Sequence, residues 1–335
     1  MGRTYRVYGM GAALVDTEIE VDDAFLASAG IDKGLMTLVD EARQQQLLEL
    51  LQTHLVASRR ASGGSAANSV IATSYFGGRA FYSCKVADDD NGRFYLADMA
   101  RAGVDCNACA GTGAGTTGKC LVLITPDAER TMNTFLGISS TLAPHNVDEA
   151  ALADSDYLYL EGYLVTSPTG RAAAIAGREL AERHGVRTAL SFSDPGIVAH
   201  FRDGLGEMLG TQVDLLFCNR AEASEWSGRE RLEDAADALR AIARSFAITL
   251  GGDGALVFDG RRYHRIAPHP VTPLDTNGAG DMFAGAYLHG ITQGWDAANA
   301  ARFASRAAGE LVMHYGPRLP APLHRRLLEE FLRAD

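Results

Sequence analysis

The chain has 335 residues, of which 47% are hydrophobic and 22% charged, the balance of an ordinary globular protein with room for a large core. No apolar run approaches the roughly 20 residues that span a bilayer, and Met1-Gly2-Arg3-Thr4-Tyr5-Arg6-Val7 offers neither an apolar h-region nor a cleavage site, so no membrane partner and no signal peptide are expected. The formal net charge of -11 repels DNA and RNA backbones, which argues against a nucleic-acid partner.

In chain order, Arg6-Val7-Tyr8 reads as a first strand ending at Gly9-Met10-Gly11. A helix is predicted over Val39 to Leu55 and a small-residue helix over Gly64 to Tyr75. Apolar runs at 157–160, 188–192, 215–218 and 246–250 then alternate with helices predicted over 169–184, 197–209, 221–226 and 232–244. Short apolar strands separated by helices imply an α/β fold whose parallel sheet is covered on both faces. Two stretches, 16–38 and 107–136, lack a helical period, and Lys119 to Thr125 followed by Pro126-Asp127-Ala128-Glu129 reads as a hairpin arm. Extra strands there would form a small second sheet.

Three motifs mislead. Gly9-Met10-Gly11-Ala12-Ala13-Leu14 follows a strand but lacks the third glycine of a dinucleotide fingerprint, and Asp16 comes too soon to be the ribose acid. That argues against a dehydrogenase. Gly113 to Lys119 matches a phosphate-binding P-loop up to Cys120, where Ser or Thr is needed, and it opens a β-rich run where a helix belongs. Cys106 and Cys109 have the spacing of half a zinc site with no answering pair, and five scattered cysteines suggest free thiols in a reducing cytoplasm.

The segment Asp275-Thr276-Asn277-Gly278-Ala279-Gly280-Asp281 carries the chemistry. Small residues sit where a helix begins, and the exposed N–H groups of a helix start attract anions. A carboxylate is unfavourable there unless it has a task. Asp281 as a base beside N–H groups of Gly278, Ala279 and Gly280 fits phosphoryl transfer.

This segment resembles the C-terminal signature of the ribokinase (PfkB-type) family of sugar and nucleoside kinases. Ser62-Gly63-Gly64-Ser65-Ala66-Ala67-Asn68-Ser69, with Gly77-Gly78 and Lys85 to Gly92, resembles the N-terminal one, about 200 residues earlier. Thr117 to Cys120, Glu129 to Thr134, Glu161 to Leu164 and Asn219 to Glu222 are most similar to the adenosine kinase branch.

The resemblance implies one ribokinase-like kinase domain over 1–335, a Rossmann-type sheet with a β-sheet lid from about 16–38 and 107–136. It implies ATP-dependent phosphorylation of a ribonucleoside 5′-hydroxyl, adenosine to AMP in purine salvage, by a cytoplasmic monomer or homodimer. Asp281 is the expected base, and Arg130 is expected to reach the transferring phosphate. Asp16, Gly63, Gly64, Ser65, Asn68 and Tyr163 are expected around the acceptor. Asn219, Glu222, Thr249, Gly251, Gly254 and Asn277 are expected around ATP. Asn219 and Glu222 are expected to hold Mg²⁺ through water, and Asp275 to border a K⁺ ion. A helix cap explains Asn219 and Glu222 equally well. Adenosine kinases commonly carry Gly-Asn where this chain has Gly11-Ala12, which keeps open another nucleoside or a sugar as acceptor. A catalytically silent ligand-binding regulator is the alternative of a different class, and an intact Asp281 argues against it.

Overall fold

The computed structural model describes residues 2–34, 36–52, 59–107, 110–127 and 129–334. The described strands are β1 (Tyr5–Met10), β2 (Leu14–Glu20), β3 (Met36–Leu38), β4 (Arg59–Gly63), β5 (Ala80–Ser83), β6 (Val104–Cys106), β7 (Thr117–Ile124), β8 (Arg130–Gly137), β9 (Ser155–Glu161), β10 (Arg187–Ser191), β11 (Val213–Asn219), β12 (Ala243–Thr249), β13 (Ala255–Phe258) and β14 (Tyr263–Ile266). Nine form one sheet in the order β14-β13-β12-β11-β10-β9-β1-β5-β6. It is parallel from β12 to β6 and closes with antiparallel β13 and β14. Strands β9 and β11 are buried almost throughout, as expected when helices cover both faces. Alternation divides their side chains: Val7, Tyr159 and Phe217 enter one apolar core, and Tyr8, Leu158, Leu160 and Leu216 enter the other.

The second sheet runs β3-β8-β7-β2-β4. One face packs Ile19, Leu121 and Leu123 against Leu26 and Leu47 of the helices Asp23–Ala29 and Glu41–Leu50. Period-2 alternation turns Leu14, Asp16, Cys120, Val122, Arg130, Met132, Thr134 and Leu136 toward a cavity on the other face. Strand β4 joins this sheet from outside the two segments expected to build it, and the edge pair β13–β14 was also not anticipated. Asp16 lies within β2.

Helix bounds shift for local reasons. The helix expected from Val39 begins at Glu41, because the Asp40 carboxylate accepts from the Arg43 N–H at 2.8 Å and caps it; its expected end, beyond residue 52, lies outside the described residues. The helix expected over 197–209 is two, Pro195–His200 and Arg202–Leu209, parted at Phe201. No described helix is long and apolar enough to cross a membrane.

Candidate active site

The helix Ala279–Thr292 starts on Gly278, whose φ of 74° is left-handed. A Cβ there would lie 2.5 Å from the Pro317 carbonyl oxygen, so only glycine fits. This helix crosses the helix Ser65–Tyr75 closely. A Cβ on Gly285 would lie 2.4 Å from the Ser69 carbonyl oxygen, and Thr73 Oγ1 donates to the Gly285 carbonyl at 3.0 Å. The small residues therefore serve packing, and packing brings the two helix starts together. Asp281 Oδ1 accepts from Ser65 Oγ at 2.6 Å, and Oδ2 accepts from Asn68 Nδ2 at 3.0 Å. Two residues expected around the acceptor thus orient the Asp281 carboxylate. Asn68 Oδ1 is buried without a protein partner, which leaves an acceptor for a ligand hydroxyl.

These groups line a cavity of about 460 Å³ between the two sheets. Its floor carries carboxylates. Desolvation raises Asp281 to about 6 against the two hydrogen bonds, which lower it. Desolvation raises Asp16 to about 7, opposed by the positive charge of Arg318. Glu161 is also lifted to about 7 by desolvation, although it accepts from the Ala12 N–H at 2.6 Å and the Ala66 N–H at 2.8 Å. Glu161 was not expected at the site. Its signal is positional: it ends β9 at the carboxyl edge of a parallel sheet, where α/β folds bind ligands.

Gly63, Gly64 and Tyr163 fall at the same place. A Cβ on Gly63 would lie 2.0 Å from Asp16 Oδ2, and one on Gly64 would lie 2.2 Å from the Ala12 carbonyl oxygen. Gly64 and Tyr163 line the cavity. So does Ser193, unforeseen, a non-glycine residue at a φ of 71° whose hydroxyl accepts from the Gly162 N–H at 2.9 Å.

Asn219, Glu222, Thr249 and Asn277 also line the cavity. Gly251 and Gly254 lie apart, in the turn between β12 and β13. A Cβ on Gly254 would lie 2.0 Å from the Ile266 carbonyl oxygen, a packing reason for that glycine. Asn219 and Glu222 form the reciprocal cap of the helix Arg220–Ser227: Asn219 Oδ1 accepts from the Glu222 N–H, and Glu222 accepts from the Asn219 N–H and Nδ2. Desolvation raises Glu222 to about 7. Direct ligation would break that cap, and no cluster of three or more metal-ligating side chains occurs among the described residues. Mg²⁺ keeps several waters and needs few protein ligands, so the pair fits a hydrated Mg²⁺ held through water.

Asp275 does not fit an alkali cation. It is buried, and its carboxylate pairs with Nε and Nη2 of Arg130 while accepting from the Asn277 N–H at 2.9 Å and the Gly316 N–H at 2.6 Å. Arg130 lines the cavity, but its fork is spent on Asp275. Among the described lining residues it is the one basic side chain. Lys119, of the misleading glycine motif, lies in β7.

A buried carboxylate at a glycine-started helix, in a cavity at the carboxyl edge of a parallel sheet, suits a phosphotransferase with an alcohol as acceptor. A family model described as pfkB family carbohydrate kinase matches residues 39–323, and the chain belongs to that family. It is 26% identical to an adenosine kinase from Schizophyllum commune, over 95% of this chain and 98% of that protein. The structure of adenosine kinase from Sinorhizobium meliloti superposes with a TM-score of 0.90 at 32% identity, over 99% of this chain and 100% of that one. A probable sugar kinase from Rhizobium etli CFN 42 gives 0.89 at 31% identity, over 99% of each chain. The family takes nucleosides or sugars and implies ATP as co-substrate.

Proposed function

We propose that the chain transfers the γ-phosphoryl group of ATP to the 5′-hydroxyl of a ribonucleoside, adenosine first, giving AMP and ADP. The observation that carries this reading is the mixed polar and apolar lining of the cavity. Asp16, Asn68 Oδ1 and Asp281 offer acceptors to hydroxyls, while Leu14, Met36, Leu38, Val122, Met132 and Leu136, on the second-sheet face that also carries Asp16, add an apolar wall. A ribose has no use for that apolar wall, and a flat base does. Five buried or half-buried carboxylates, of Asp16, Glu161, Asp194, Glu222 and Asp281, also make the cavity unfavourable for an anionic acceptor such as a sugar acid.

In this reading Asp281 takes the proton of the attacking hydroxyl as the new O–P bond forms and the bond from the γ-phosphorus to its bridging oxygen breaks. Ser65 and Asn68 hold that carboxylate in place. The N–H groups at the helix start, from Gly278 to Asp281, face the charge on the transferring group. Asp16 accepts from two neighbouring ribose hydroxyls. Asn219 and Glu222 would hold a hydrated Mg²⁺ through its waters, and that ion would supply positive charge for the phosphates. The second sheet acts as the lid that excludes water, the competing acceptor. A cytoplasmic role in purine salvage, as a monomer or homodimer, completes the reading.

Ala12 favours a second reading. It lines the cavity where the adenosine branch commonly has an amide, and so leaves room for a different base or a larger sugar. ADP release from MgATP with adenosine, inosine, guanosine, cytidine, ribose, fructose and 2-keto-3-deoxygluconate separates the two. Adenosine should give the highest kcat/KM. A free sugar turning over best would replace the nucleoside reading.

A further inference from the structure

The family resemblance carries the expectation of a monovalent cation beside Asp275, and among the described residues the Asp275 carboxylate leaves no place for one. A carboxylate has about four lone-pair positions. Here Arg130 Nε, Arg130 Nη2, the Asn277 N–H and the Gly316 N–H take them all. The guanidinium adds a full positive charge that stays at every accessible pH. Arg130 Nη1 is left unpartnered 3.5 Å from Glu18 Oε1, itself buried and unpartnered. Two acids thus flank one arginine, whose single positive charge offsets that of Asp275, the acid it forks onto, without a metal.

We propose that the Arg130 guanidinium is the built-in counter-cation of Asp275, so that the protein needs no K⁺. Arg130 is then a positioning residue. It holds Asp275, Asp275 holds the Asn277 N–H, and Asn277 leads directly into the Gly278 helix start. Because Arg130 opens β8 of the second sheet and Asp275 belongs to the loop before the helix, the same pair ties that sheet to the phosphate-facing turn. A diffusible cation can do the first task but not the second.

The kinetic arm of the test rests on the kinase reading, and the thermal arm does not. Wild-type protein freed of alkali metals is compared in KCl and choline chloride at equal ionic strength. Its melting temperature and its turnover of MgATP with adenosine should agree between the salts to within about twofold in rate. A higher melting temperature or a several-fold higher rate in KCl overturns the proposal, and this arm needs no variant. Arg130→Met removes the charge and keeps the bulk. Its melting temperature should rise in KCl, and low guanidinium chloride should restore part of its turnover. Indifference of a folded Arg130→Met protein to both cations also overturns it. Arg130→Lys covers the case in which the methionine variant does not fold: an ammonium lacks the fork, so K⁺ should still raise its melting temperature, and no response counts against the proposal. Asp275→Asn in the Arg130→Met background removes the anion and should abolish the K⁺ response; a persisting response places the cation elsewhere and overturns the assignment. Absence of any turnover, with the thermal pattern intact, would fault the acceptor assignment and leave this one standing.

Discussion

Ser65 Oγ donates to Asp281 Oδ1 at 2.6 Å, so the first residue of one helix orients the carboxylate in the first turn of another. With the 3.0 Å bond from Asn68, this contact lowers a pKa that desolvation raises to about 6. A base must be ionised, so kcat/KM should fall as pH drops through about 6. Ser65→Ala deletes a stabilising bond to the anion and should move that acid limb to higher pH. A pH profile with an unmoved limb would detach Ser65 from the base.

Asp281→Asn keeps the shape and removes the proton acceptor. Turnover should drop by roughly 10²–10⁴ with acceptor binding largely retained. Steady-state kinetics together with calorimetric titration of adenosine checks both halves.

Asp16→Ala should weaken acceptor binding by about 2–4 kcal/mol, because hydrogen bonds from a diol to a buried carboxylate are lost. The KM for ATP should move much less. Since desolvation raises Asp16 to about 7, the wild-type acceptor affinity should also improve as pH rises through 7, and the variant should lose that dependence.

The two glycine-rich segments should rank oppositely in a kinetic comparison. Lys119 sits in β7, so Lys119→Ala should cost less than about tenfold in kcat/KM. A Cβ at Gly280 meets no protein atom within 4 Å and enters the cavity instead. Gly280→Val should therefore fold, by circular dichroism, and lose turnover by obstructing the phosphoryl position. The reverse ranking would move the phosphate site to the 113–119 segment.

Asp16, Glu161 and Glu222 are raised to about 7 and Asp281 to about 6, all by desolvation. For acids whose folded pKa lies above the unfolded one, the stabilising contribution is full below the unfolded value and is lost as pH rises through the folded value. The urea midpoint should accordingly be higher near pH 5.5 than near pH 8. Asp16→Asn and Glu161→Gln should each flatten that slope, because each removes one titration.

Much of the architecture was legible in one dimension. Strands such as β9 and β11, buried on both faces, leave uninterrupted apolar runs, and that pattern announces a parallel sheet whatever the rest of the chain does. The Gly278 start was legible because a left-handed residue pressed against Pro317 admits only glycine. The β4 contribution was not, since a five-residue edge strand, RRASG, has no apolar alternation to betray it. The helix expected over 197–209 hid its break, because both halves share one apolar face and Phe201 parts them only through local backbone geometry.

At the site, the candidate residues were legible in local sequence: Asp281 with its glycines, Asp16 and the Asn219–Glu222 cap. What they do to one another was decided by tertiary structure. The meeting of Ser65 and Asn68 with Asp281 depends on how closely two helices 200 or so residues apart can cross. The pairing of Arg130 with Asp275 depends on where a second sheet lies over the first. The raised carboxylates depend on the water that both exclude. Helix starts and glycine turns are written in short-range backbone geometry, whereas charge partners and desolvation belong to contacts that only the folded chain brings together.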